Sequence, residues 1–151
     1  MPRLLTKYLG WIEYDEAGVV DFPAGVPGFE HERRFLFIRN EAHAPVVFLQ
    51  SVQSPGLCFL ALPAREVETG YRLDMAEEDA AVLGLEGGAG GEDLEVLALI
   101  SHRAGEAATA NLVAPVVVHG PGRRAVQAVR RDRRYGARHV LAGCVERHGV
   151  C

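Results

Sequence analysis

The chain has 151 residues, of which 48% are apolar, 24% charged and 7% aromatic. That length and composition suit one globular domain with its own core and exclude intrinsic disorder over most of the chain. The formal net charge of −4 hides an asymmetry, because residues 1–106 carry 18 acids and 8 bases whereas residues 107–151 carry 2 acids and 8 bases. A split of this kind serves a charged partner, or the two halves neutralise each other across the folded surface. No apolar run approaches the roughly 20 residues of a membrane helix. The opening Met1-Pro-Arg-Leu-Leu-Thr-Lys-Tyr8 lacks the apolar stretch of a signal peptide. The three cysteines, Cys58, Cys144 and Cys151, form no CxxC, which fits a reducing cytoplasm.

Strand-sized apolar segments recur along the chain. They are Leu4–Tyr8, Trp11–Tyr14, Val19–Phe22, Phe35–Ile38, Val46–Leu49, Cys58–Leu62, Tyr71–Leu73, Val96–Ile100, Leu112–Val118 and Ala125–Val129. Gly, Pro, Asp and Asn separate them, the pattern of short strands joined by turns. Gly10 predicts a tight hairpin between the first two, and Asp15–Gly18 predicts the next turn. Phe35–Ile38 and Val96–Ile100 are apolar without alternation, so both of their faces should be covered. One helix is expected near 75–83. Asp74 and Glu77 have capping-box spacing, acids fill the first turn, and Gly84 supplies the stop. Gly87–Gly91 reads as a loop. Pro115 lies inside an apolar run and removes a ladder donor, so that run is an edge strand or bulges at the proline. Arg123–Arg134 fits either a strand or one face of a basic helix.

Chemistry is sparse. The histidines at 31, 43, 102, 119, 139 and 148 form no HxxxH or HxH pair, and no cysteine or carboxylate stands at ligand spacing, so no metal or cofactor is expected. Ser51, Ser54 and Ser101 lie in neither GxSxG nor SxxK. The glycine run follows a helix rather than a strand and lacks a following Lys-Ser/Thr, which argues against a phosphate loop. No nucleophile, base and oxyanion donors assemble, and the chain reads as a binding protein rather than an enzyme.

Two segments stand out. Asp21-Phe-Pro-Ala-Gly-Val-Pro-Gly-Phe-Glu30 concentrates prolines, glycines and phenylalanines, so it should hold one shape. Such a loop plugs a barrel end or presents a preorganised docking surface. In the second, Phe48–Phe59, two apolar strands flank the polar turn Gln53-Ser54-Pro55-Gly56. A partner surface built from Pro27, Phe29, Glu30, Gln50, Gln53, Ser54, Pro55 and Gly56 is the docking reading of both loops.

Several blocks resemble a known family. Thr6-Lys-Tyr-Leu-Gly10 with Ile12-Glu13, then Phe22-Pro23 and Gly25-Val-Pro-Gly-Phe-Glu30, resemble the opening of the flagellar assembly factor FliW family. Phe48-Leu-Gln-Ser-Val52 with Pro55, then Thr109–Val118, and finally Gln127 and Tyr135 with Arg138-His139, follow in the family's order. The resemblance implies a small cytoplasmic β-barrel without catalysis. It also implies binding to the translational regulator CsrA, an RNA-binding repressor of flagellin synthesis, and to flagellin, which competes for the same protein. Ala24, Gln53-Ser54 and Gly136-Ala137 depart from the family pattern, and 140–151 run past its usual end.

The expected architecture is therefore an all-β, mainly antiparallel barrel over 1–139 with one short helix, followed by a C-terminal extension, 140–151, dispensable for partner binding. The expected function is to antagonise CsrA and to bind flagellin, with no direct nucleic-acid or membrane partner. The acidic first two-thirds of the chain would attract a basic regulator and repel RNA phosphate once docked. A flavin- or other cofactor-binding split barrel is the alternative from another class. A third reading makes the arginines of 123–134 a nucleic-acid site, although no aromatic interleaves them before Tyr135.

Overall fold

The computed structural model describes residues 1–85 and 93–141. The glycine run 87–91 and residues 142–151 lie outside this range. The chain opens with a separate hairpin, β1 (Arg3–Thr6) and β2 (Gly10–Glu13). Gly10 adopts φ +67°, the Thr6 hydroxyl donates to the Gly10 carbonyl at 2.8 Å, and the same oxygen accepts from the Leu9 N–H at 2.8 Å. The turn expected at Asp15–Gly18 is a 3₁₀ turn whose Ala17 N–H bonds to the Asp15 carboxylate.

Then follow β3 (Val19–Asp21), β4 (Arg34–Arg39), β5 (Val47–Ser51), β6 (Cys58–Pro63), β7 (Leu94–Ser101), β8 (Thr109–His119), β9 (Arg124–Gln127) and β10 (His139–Val140). The seven strands β3 to β9 pair in sequence order, with β6 and β7 joined through the helical segment. Every pairing is antiparallel apart from β3 with β9, a parallel contact at Asp21 and Arg124 that closes the sheet into a barrel. Closure removes the open edges that a flat sheet of this size would expose. The all-β expectation holds.

The interior is packed by Phe22, Phe35, Leu49, Leu97 and Val116, all at most 1% exposed. Burying each side chain of this size contributes roughly 1.5–3 kcal/mol. Phe22 and Phe35 meet edge to face at 5.1 Å. A second apolar layer covers the outside, with Phe48, Leu62, Ala98, Leu112 and Tyr71 buried together and Leu9 and Ile38 packed against them. Strands β4, β5 and β7 thus have both faces covered, as their unbroken apolar runs require.

The predicted proline irregularity is a bulge. β7 pairs Leu97 with Val116 and Leu99 with Asn111, so the register jumps across residues 112–115. The Asn111 carboxamide oxygen accepts from the N–H groups of Val113 and Ala114, both at 3.0 Å, and fixes the detour. Below the bulge β8 pairs with β10, and above it with β9.

Two sequence expectations change. The helix is α2 (Glu77–Val82), preceded by the single turn α1 (Ala64–Val67). Asp74 does not cap α2. Its carboxylate takes the Arg131 N–H at 2.9 Å and the Arg131 guanidinium at 2.6 Å, charge-assisted bonds stronger than a cap. Gly84 stops the helix at φ +79°, with Leu85 N–H bonded to Ala80 C=O and Gly84 N–H to Ala81 C=O. Tyr71–Leu73 is not a strand, because Tyr71 is drawn into the outer layer. Its hydroxyl donates to the Leu112 carbonyl at 3.0 Å and its ring stacks on Tyr135 at 4.7 Å. Of the two readings of Arg123–Arg134 the strand holds, as β9 followed by a loop.

The fold also runs past residue 139. Val140 pairs with Thr109, and Leu141 is buried with its N–H on the Ala108 carbonyl at 2.9 Å. A chain ending at Leu141 keeps this leucine and its backbone bond. One ending at His139 should lose about 2 kcal/mol of stability, since a buried leucine and a backbone bond go with it. Equal melting temperatures for the two truncations would contradict this boundary.

Candidate functional site

The two segments singled out by composition meet at one end of the barrel. The first begins at buried Phe22, whose carbonyl accepts from the Gly25 N–H at 2.8 Å. Gly25 sits at φ +71°, and a Cβ there would collide with the Glu30 carbonyl. Val26, Pro27, Gly28 and Phe29 form a tight turn closed by Phe29 N–H to Val26 C=O at 2.7 Å. Proline at the second position and glycine at φ +86° in the third give the turn type II character. Phe29 is 45% exposed, and its ring meets Phe59 edge to face at 5.6 Å. It is neither a barrel plug nor a free side chain. It rests on the rim with one face in solvent, beside exposed Pro27 and Glu30.

The second segment is held to the first by a residue that composition did not single out. One Glu32 carboxylate oxygen accepts from the Ser51 hydroxyl at 2.5 Å, the other from the Ser54 hydroxyl at 2.7 Å. The Ser51 oxygen in turn accepts from the N–H groups of Gln53 at 3.1 Å and Ser54 at 2.9 Å. The Gln53 side-chain oxygen accepts from the Arg33 N–H at 2.9 Å. The usable signal for Glu32 was the pair of serines three residues apart, which can serve both oxygens of one carboxylate.

Gln50, grouped above with the contact residues, is wholly buried. Its amide nitrogen donates to the carbonyls of Ser51 at 3.0 Å and Pro55 at 3.3 Å. It supports the turn from beneath rather than meeting a partner. Pro55, Gly56 and Gln53 are exposed, and Ser54 is half-buried. The Lys7 N–H donates to the Pro55 carbonyl at 3.0 Å, which joins the β1–β2 hairpin to the same rim.

Reactive chemistry does not gather here. Ser51 is buried and its hydroxyl is used by the loop. Burial pushes the Cys58 thiol up to about 11, away from a thiolate at neutral pH. Among the described residues no three His, Cys, Asp or Glu side chains come together as metal ligands.

Three of the six arginines of 123–134 make side-chain hydrogen bonds. Arg123 reaches the Glu16 carbonyl at 3.3 Å, and Arg131 pairs with Asp74. Arg130 is buried over the rings of Tyr71 and Tyr135, bonded to Asp132 at 2.8 Å and to the Arg72 carbonyl. Hydrogen bonding to Arg130 holds the Asp132 carboxyl below its ordinary range, and Arg131 does the same for Asp74. The contacts of Arg131 with Asp74 and of Arg123 with Glu16 tie the basic end of the chain to its acidic part.

A family model described as FliW protein matches residues 3–141. The chain belongs to the FliW family. It is 32% identical over 139 residues to the flagellar assembly factor FliW of Bacillus subtilis strain 168, covering 91% of this chain and 95% of that relative. It is 34% identical over 135 residues to the flagellar assembly factor FliW of Azoarcus sp. strain BH72, covering 84% and 90%. A solved crystal structure of the flagellar assembly factor FliW superposes with a TM-score of 0.81 at 29% identity, covering 92% of this chain and 96% of that one. The FliW match ends at the residue where β10 and buried Leu141 end the described fold.

The rim rests on Glu32. Glu32→Ala leaves the Ser51 and Ser54 hydroxyls without their acceptor, and should cost about 1–3 kcal/mol of stability. The amides of residues 52–54 and 56 should exchange faster than in the wild-type chain. Unchanged exchange in that turn would show that the carboxylate does not hold it.

Proposed function

We propose that this chain is a non-enzymatic, cytoplasmic flagellar assembly factor that binds and antagonises the translational regulator CsrA and also binds flagellin, coupling flagellin synthesis to assembly. The observation that carries this reading is the family match across residues 3–141. The rim supports it. A half-exposed phenylalanine on a stiff turn is the type of anchor that dominates protein interfaces, because little entropy is lost when it docks. The partner surface comprises Pro27, Phe29, Glu30, Gln53, Ser54, Pro55 and Gly56, with Gln50 and Glu32 as supports. The net charge of −4 favours encounter with a basic RNA-binding protein.

Phe29→Ala separates docking from packing. Phe29 keeps 45% of its surface in solvent, so truncation should cost the fold only about 1 kcal/mol. The same change should weaken binding to CsrA or flagellin by about 2 kcal/mol or more, roughly thirtyfold. Calorimetric melting and titration with each purified partner measure both. A collapsed melting temperature, or intact affinity for both partners, would overturn the docking role.

A further inference from the structure

The β1–β2 hairpin leaves one side of β2 unused. Its two strands form a separate two-stranded sheet, and no other described strand pairs with β2. Tyr14 N–H bonds to Pro2 C=O, so the bonded pairs of the ladder are those of even number. Trp11 and Glu13 lie at the alternate positions, where backbone N–H and C=O point away from β1. A two-stranded hairpin is marginal alone and gains stability from a third strand.

Beside β2 runs a cleft of about 280 Å³ between the hairpin and β4. Ile12, Leu36 and Ile38 line it, with Glu13 and Asp15 at its end. Trp11, 61% exposed, flanks the same edge. Arg3 lies opposite Glu13 in the ladder but places its guanidinium over the Trp11 ring at 4.7 Å. Among the described residues Glu13 pairs with no cation, whereas Glu16 is taken by Arg34 at 2.5 Å.

We propose that this cleft receives an extended segment of a basic protein partner, which adds as a third strand to the outer edge of β2. Apolar side chains at alternate positions enter between Ile12 and Ile38, and a cation meets Glu13 and Asp15. Acidic residues at the end of the cleft select the basic partner, so the occupant is a segment of CsrA rather than of flagellin. This rests on the reading above that the chain binds CsrA. The bond from Lys7 to Pro55 fastens the same hairpin to the Phe29 rim.

Amide hydrogen exchange on the full chain, alone and saturated with purified CsrA, tests the strand directly. The Trp11 and Glu13 amides should slow by about tenfold or more in the complex, as new backbone bonds form. Glu13→Lys, at an exposed position, should leave the melting temperature unchanged. It should lower CsrA affinity by about tenfold and spare flagellin. If the wild-type chain binds neither partner, the functional reading and this proposal fall together. If it binds CsrA with those two amides unprotected, or if Glu13→Lys weakens flagellin instead, only the proposal falls.

Discussion

One strand has to serve three neighbours. β8 pairs with β7 along its length, with β10 at one end and with β9 at the other. β7 takes one edge, and β10 and β9 share the other at opposite ends, with the detour at residues 112–115 between them. Pro115, which has no N–H to give, accepts from Ala128 through its carbonyl, and Asn111 satisfies the two amides that the detour frees. With β9 carried on the upper half, its far edge reaches β3 and the barrel closes. Because β3 and β5 both flank β4 antiparallel, the turns that follow them lie at the same end, and the Glu32 carboxylate locks one to the other.

Much of this was legible in the sequence where local chemistry decides. Nine of the ten apolar segments are strands, and the bulge at Pro115 follows from a missing donor. The stiffness of residues 25–30 follows from Pro27 and from glycines that sit at positive φ. What the sequence hid depends on distant partners. Asp74 has a capping residue's spacing but faces Arg131, 57 positions away. Tyr71 reads as part of a strand but serves as a platform for Arg130. β10 is two residues long, too short for any periodicity, and exists because the lower half of β8 offers it an edge.

The candidate surface was half legible. Phe29 and the Gln53–Gly56 turn were marked by composition, and they do sit together on the rim. Gln50 lies in the same stretch, yet strand alternation and the Pro55 carbonyl place it underneath. Glu32 carried no motif, and only the fold reveals that its two oxygens join two loops. The charge asymmetry likewise has two outcomes in one molecule. Part of the basic C-terminal segment is neutralised locally by Asp74 and Asp132, while acids such as Glu13 and Glu30 remain at the rim and hairpin.

The central claim is that a rigid protein-docking end, rather than a reactive pocket, is what this barrel exists to present. Competition between the two partners tests it most directly. Purified CsrA, labelled and held at about 1 μM with saturating chain, should form a stable complex by sedimentation. Added flagellin should release the labelled CsrA in proportion to its own occupancy. A complex that never forms, or one that keeps its CsrA while flagellin binds as well, would contradict the account.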